Sequence, residues 1–214
     1  MKKILLGLCL MGFSSVFADA IVGKDAPAFK LQGVDNKTYE LSSMKGKIVV
    51  LEWTNYDCPF VKKHYDSKNM QTLQKKYTDR KDKAVVWLSV NSSAKDKQGN
   101  YSVKEWDDKI KSNGVAANTV LLDTDGTVGK LYGARTTPHM FIIDTKGVLA
   151  YAGAIDDKPT ADPRDIPKAK NYVSAALEEL LVSKPVTVKS SEPYGCSVKY
   201  GAPLASLHSR SFGF

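Results

Sequence analysis

A cysteine directly before a proline is the residue in this chain best suited to nucleophilic chemistry. Cys58-Pro59 follows the apolar run Ile48-Val49-Val50-Leu51-Glu52-Trp53, which reads as a strand buried on both faces. Beyond it, Val61, Tyr65, Leu73 and Tyr77 recur at helical spacing, with Asp66-Ser67-Lys68-Asn69 as a break. Pro59 suits a first helical position, where no N–H is needed. Cys58 then stands at or beside the N-cap, facing unpaired amides and the positive end of the helix dipole, and both favour thiolate over thiol. The dipole alone is too weak to activate it. An ordinary thiol is about 3% ionised at pH 7, and the dipole lowers its pKa by only roughly 0.2–0.7 units. Asp57 opposes it. Lys62, Lys63 and His64 lie too far along the helix to help. Arg135, just before Thr136-Thr137-Pro138, is the expected positive partner if that loop approaches Cys58. An inert buried cysteine is the alternative reading.

The other candidates are fewer. Pro138 opens the strand His139-Met140-Phe141-Ile142-Ile143, where a proline marks a strand start or a special turn. His139 and Met140 beside a thiolate would make a soft site suited to Cu(I), a reading that competes with redox chemistry. His64 reads as a surface helix residue, and His208 is assigned nothing.

The first twenty residues set the compartment. Lys2 and Lys3, the apolar stretch Ile4 to Phe13, and small residues around Ala18 and Ala20 read as a cleaved secretory signal, with Cys9 inside its apolar core. Cleavage after Ala20 takes the net charge from +8 to +7 and leaves Cys58 and Cys196 as the two thiols, in a compartment where disulfides persist. The protein is therefore expected to be periplasmic or secreted. Cys196 is a candidate resolving thiol for Cys58, which requires Cα atoms within about 7 Å. A tail anchor or distant surface thiol is the other reading. The basic balance does not indicate nucleic acid, because Lys outnumbers Arg 27 to 4 and is scattered among acids. No apolar run reaches about 18 residues, so no membrane insertion is expected after cleavage.

Elements must hold these residues in place. Phe29–Leu31 and Thr38–Leu41 flank a hairpin signal at Asp35-Asn36, and Val85–Val90 and Thr119–Leu122 read as strands. Met140–Ile143 and Val148–Ala152 flank a second hairpin. Ser102 and Glu105 form a capping box ahead of Trp106 and Ile110, with Asn113-Gly114 as the stop. Ala169, Tyr172, Val173, Ala176, Leu177, Leu180 and Leu181 form an apolar helical stripe, with Pro167 at its start. The alternation predicts an α/β fold, a central mixed sheet flanked by helices with an N-terminal β-hairpin. The division expected is a signal at 1–20, a folded domain at 21–184 and a tail at 185–214 that carries Cys196.

The segments LEWTNYDCPFVKKHY and TTPHMFIID resemble the two active-site segments of thioredoxin-fold redoxins, over Val22 to Leu181. Within them the chain is most similar to the peroxiredoxin-like group, related to alkyl hydroperoxide reductase and thiol-specific antioxidant. That group has one cysteine before a proline and a PYGC segment near its end, here Pro193-Tyr194-Gly195-Cys196. The resemblance implies a thioredoxin-like fold with Cys58 packed against a cis Pro138. It also implies thiol-disulfide oxidoreductase activity with Cys58 as nucleophile. Partners would be protein or small-molecule thiols and disulfides, with peroxides a further candidate, and no cofactor is called for. Three positions depart from the pattern. Val61 stands where thioredoxins have their second cysteine, Asn55 where peroxiredoxins have Thr or Ser, and Pro138 where they have Arg. The local dithiol is absent, and efficient peroxide reduction is not implied. A non-catalytic binding domain is the remaining alternative.

Overall fold

The computed structural model describes residues 20–82 and 84–202. The signal sequence with Cys9, Ala20 apart, and His208 lie outside the described residues. In chain order the elements are β1 (Lys30–Gly33), β2 (Thr38–Glu40), β3 (Ile48–Trp53), α1 (Pro59–Asp66), α2 (Asn69–Thr78), β4 (Val85–Asn91) and α3 (Val103–Asn113). There follow β5 (Thr119–Leu122), α4 (Thr127–Leu131), β6 (Thr136–Thr137), β7 (His139–Ile143), β8 (Leu149–Gly153), α5 (Tyr172–Leu181) and β9 (Cys196–Ser197).

Seven strands make one sheet in the order β2-β1-β5-β4-β3-β7-β8. β3, β4 and β5 run parallel, while β7, β8 and the N-terminal hairpin are antiparallel to their neighbours. All six residues of β3 are buried, Glu52 among them, as expected of a mainly apolar central strand. Successive side chains point to opposite faces. Val50 and Ile142 pack with α1, α2 and α5 through Val61, Tyr65, Leu73 and Leu177. Leu51, Trp53 and Phe141 pack on the other face with Phe29, Met44 and Tyr132. This is the mixed α/β sandwich with an N-terminal hairpin that the element pattern predicts.

Local signals explain most of the boundaries. α1 and α2 are separate helices because Lys68 takes a left-handed conformation, φ 62°, between them. The capping box of α3 is complete: the Ser102 backbone N–H donates to Glu105 Oε2 at 2.7 Å, and the Glu105 N–H donates to Ser102 Oγ. The last helix starts later than its stripe suggests. Pro163–Lys168 closes as a 3-10 turn around Pro167, and α5 begins at Tyr172 because Asn171 Oδ1 accepts the Ser174 N–H at 2.7 Å. α4 and β6 are too short, at five and two residues, for periodicity to show.

Beyond the expected boundary at 184/185 the chain stays on the domain. Val186 is buried. The Ala152 N–H donates to the Lys189 carbonyl at 3.2 Å, and Ser191 Oγ accepts the Ala154 N–H at 2.9 Å. Farther on, β9 pairs with β6, the Ala94 N–H donates to the Lys199 carbonyl, and Tyr200 Oη donates to the Ala134 carbonyl at 2.7 Å. Residues 186–202 are thus a strap across the domain, held by backbone pairing that hydropathy does not reveal.

Leu51 lies fully buried in the middle of β3. Leu51→Ala is expected to cost about 2–5 kcal/mol in urea unfolding, against about 1 kcal/mol for loss of the α3 cap in Ser102→Ala.

Candidate active site

Cys58 is the N-cap of α1, with φ −74° and ψ 127°, and Pro59 is the first helical residue. The loop before it is organised by Asn55. Asn55 Oδ1 accepts the Asp57 N–H at 3.0 Å and Tyr101 Oη at 3.3 Å, and its Nδ2 donates to the Gln98 carbonyl. The Cys58 N–H donates to the Asn55 carbonyl at 3.0 Å. Asp57, expected to oppose the thiolate, is engaged elsewhere: Lys109 Nζ donates to its Oδ1 at 2.7 Å. Burial raises the Asp57 pKa, but Lys109 and Tyr101 outweigh it and hold it below the ordinary value.

The second half of the site arrives from β6. The Thr137–Pro138 peptide bond is cis, and the Cys58 thiol donates to the Thr137 carbonyl at 3.1 Å. Opposite Thr137, in antiparallel register, sits Cys196. Gly195 crosses directly over the Thr137 carbonyl at φ 138°, where a Cβ would collide with that oxygen. Cys58 and Cys196 are both free thiols; Cys58 is 0% exposed, and Cys196 is half-buried.

The two thiols have opposite acidities. Burial pushes the Cys58 thiol up, but hydrogen bonds from the Cys196 thiol, the Val61 N–H and the Thr137 side chain pull it down further, leaving it below the ordinary value. Cys196 moves the other way. Burial and the same hydrogen bond to Cys58 push it up to about 11. Of the two thiols, Cys58 is therefore the more acidic and Cys196 the less.

Other expected residues fall elsewhere. Arg135 is engaged with another group: its guanidinium is exposed and pairs with Glu192 at 3.0 Å, and the groups that lower the Cys58 thiol are Cys196, Val61 and Thr137. Pro138 takes the cis turn the resemblance implies. His139 and Met140 alternate across the sheet, so they cannot join Cys58 together. Met140 packs in the cluster that holds Cys58, while the His139 ring lies 4.4 Å from Phe141 on the other face, and its Nδ1 accepts the Arg135 N–H at 3.3 Å. Among the described residues no group of three or more His, Cys, Asp or Glu side chains is placed to hold a metal ion. The Cu(I) reading thus lacks its histidine. His64 is not at the surface but fully buried, at 0% exposure. Its face of α1 is covered by the strap, which the helical stripe alone does not reveal. Two groups went unmarked in the sequence, Asn55 as loop organiser and Tyr194 as His64's partner. The placement of Tyr194 inside PYGC was the one available signal.

A family model described as AhpC/TSA family matches residues 22–152. The thiol:disulfide interchange protein DsbE of Yersinia pestis is 28% identical over 156 residues, which cover 67% of this chain and 71% of that protein. The thiol-disulfide oxidoreductase ResA of Bacillus thuringiensis subsp. konkukian is 29% identical over 127 residues, 59% of this chain and 65% of ResA, so the chain spans just under two thirds of that relative. Among solved structures, an uncharacterized conserved protein from Geobacillus kaustophilus superposes with a TM-score of 0.70 at 27% identity, covering 86% of this chain and 94% of its own. The fold is thioredoxin-like.

Both buried histidines set a pH window. Burial, with Lys63 beside His64 and Arg135 beside His139, lowers each ring to about 3. Unfolding returns them to about 6.5, so the unfolded chain binds more protons between those values and stability falls as pH drops. Each contributes at most about 1.4 kcal/mol per pH unit in that window. Urea unfolding from pH 7 to pH 4.5 is expected to show this loss, and a shallower one for His64→Gln with His139→Gln.

Proposed function

This chain belongs to the AhpC/TSA family, and from its paired thiols we propose that it is an exported thiol-disulfide oxidoreductase with Cys58 as nucleophile and Cys196 as resolving thiol. The observation that carries this reading is the meeting of Cys58 and Cys196 on either side of Thr137. Their separation in sequence replaces the missing cysteine at position 61.

In the reducing direction, the Cys58 thiolate attacks one sulfur of a substrate disulfide. That S–S bond breaks, a mixed disulfide forms on Cys58, and the other substrate sulfur leaves as thiolate and takes a proton. Cys196 then loses its proton as its sulfur attacks Cys58 Sγ. The mixed disulfide breaks, and the second substrate thiol departs. Two electrons pass from the Cys58–Cys196 dithiol to the substrate, and the pair ends as a disulfide. The same steps reversed oxidise a substrate dithiol. A low pKa suits Cys58 to attack and to leave, and the higher pKa of Cys196 keeps it protonated until the mixed disulfide forms. Because Cys58 is covered, the Gly195-Cys196 stretch must shift to admit a partner.

The relatives named for thiol-disulfide exchange support this reading over peroxide reduction. At Asn55 the site offers an amide already committed to the loop, not a hydroxyl, and Arg135 is paired with Glu192. The leader-like residues 1–20 and the surviving thiol pair support a periplasmic or secreted location.

Cys58→Ser is expected to abolish exchange with a model disulfide. Cys196→Ser is expected to retain the first attack and accumulate mixed disulfide, seen as a mass adduct on Cys58. Non-reducing peptide mapping of the wild type after mild oxidant is expected to yield a Cys58–Cys196 peptide. If that peptide is absent both before and after oxidant, the resolving role fails. Peroxide consumption faster than disulfide exchange would return the peroxidase reading. The mature N-terminus of protein from its own compartment is expected just after Ala18 or Ala20.

A further inference from the structure

Two residues before Cys196, the Tyr194 side chain is seated in a socket built by α1. Its hydroxyl donates to Asp156 Oδ1 at 2.6 Å and lies 3.2 Å from His64 Nε2. Asn69 Nδ2 donates to His64 Nδ1 at 2.8 Å, which leaves the imidazole proton on Nε2, pointing at Tyr194. The four side chains form one directed chain, Asn69 to His64 to Tyr194 to Asp156, with no donor opposed to another. The Tyr194 ring lies 5.9 Å from that of Phe60, and Lys63 Nζ stands 5.3 Å from its centre. Lys63 is itself held, donating to the Lys158 carbonyl at 2.7 Å.

Phe60, Lys63 and His64 all belong to the helix that Cys58 caps. One rigid element therefore carries the nucleophile at its end and the socket along its side. From Tyr194 the chain reaches Cys196 in two steps, at most about 7 Å. The middle residue, Gly195, passes over the Thr137 carbonyl with no room for a Cβ. β9 itself is only two residues long, a weak hold for a reactive group. The anchored tyrosine has the stronger grip.

We infer that Tyr194 is a positioning residue, docked in the Phe60–Lys63–His64–Asp156 socket so that the Cys196 sulfur is delivered to Cys58. The inference rests on the oxidoreductase reading and deepens it: α1 presents the nucleophile and registers its partner. It also accounts for a buried, neutral histidine on a helix face that would otherwise be solvated. Tyr194 touches no reacting atom and acts through Cys196.

The test uses the full-length protein with Tyr194→Ala and Tyr194→Phe, each in the wild-type and Cys196→Ser backgrounds. Circular dichroism reports folding. The first readout is the rate of Cys58–Cys196 disulfide formation with diamide, followed by non-reducing peptide mapping. The second is the pH profile of Cys58 alkylation by iodoacetamide. Tyr194→Ala is expected to slow disulfide formation tenfold or more and to move the alkylation profile to higher pH, toward that of Cys196→Ser. In the Cys196→Ser background it is expected to cause no further shift, because the group it positions is gone. Tyr194→Phe, which keeps the ring and loses the hydroxyl, should fall between and remain folded if the alanine variant does not. An unchanged rate and profile in both variants overturns the inference. So does a profile shift of equal size with and without Cys196, which marks a general disturbance of α1. If wild-type protein forms no Cys58–Cys196 disulfide at all, the oxidoreductase mechanism fails, and the dependence of the alkylation profile on Cys196 still decides the role of Tyr194.

Discussion

The contact between the Cys58 sulfur and the Thr137 carbonyl joins two segments 79 residues apart, and the chemistry of the site depends on it. Sheet order makes it possible. β7 lies antiparallel beside β3, with Trp53 opposite His139, so the loop leaving β3 and the residues entering β7 meet at one end of the sheet. Neither segment has a reactive environment alone. The first brings a thiol and the free amides of a helix start, and the second brings a carbonyl and an exposed backbone edge. The protein's own strap occupies that edge, and Cys196 comes with it.

Beneath the site, the polar core holds α1 in position. Glu52, fully buried on β3, accepts from Tyr65 at 2.8 Å, Gln74 at 2.9 Å, Trp87 at 2.8 Å and Ser89 at 3.4 Å. Burial raises its pKa, and those four donors partly offset the effect. The donors come from α1, α2 and β4, so one carboxyl ties both helices to the sheet. A group this buried is tolerable only when its hydrogen bonds are made. It stands six positions before Cys58, on the strand that leads into the reactive loop.

The thiols divide their roles by environment. Cys58 is the more buried, yet burial does not decide its acidity, because the neighbouring Cys196 thiol, Val61 and Thr137 together outweigh it. Cys196 faces solvent more, yet its partial burial and the hydrogen bond to Cys58 raise its pKa. Holding the strap in register is therefore as important to reactivity as the helix start.

By itself the sequence determined what local chemistry controls. It was enough to place the central strands, the Cys58-Pro59 helix start, the α3 capping box and the turn at Pro138, because apolar period, proline and cap residues act over a few positions. It also narrowed the reactive groups to Cys58 and Cys196 by count. Its local signals misplaced His64 and left the settings of Arg135 and His139 open. Whether a guanidinium faces a thiol or Glu192 depends on a loop's final path. Whether His64 meets water depends on a strap from the far end of the chain, and which face His139 takes depends on strand register. The strap itself was read as a tail because backbone pairing and a single buried tyrosine leave no periodic trace. Only the tertiary structure decided that Cys196 meets Cys58, since Cys58 reaches Thr137 across 79 positions and Thr137 reaches Cys196 across 59, contacts that no local preference encodes.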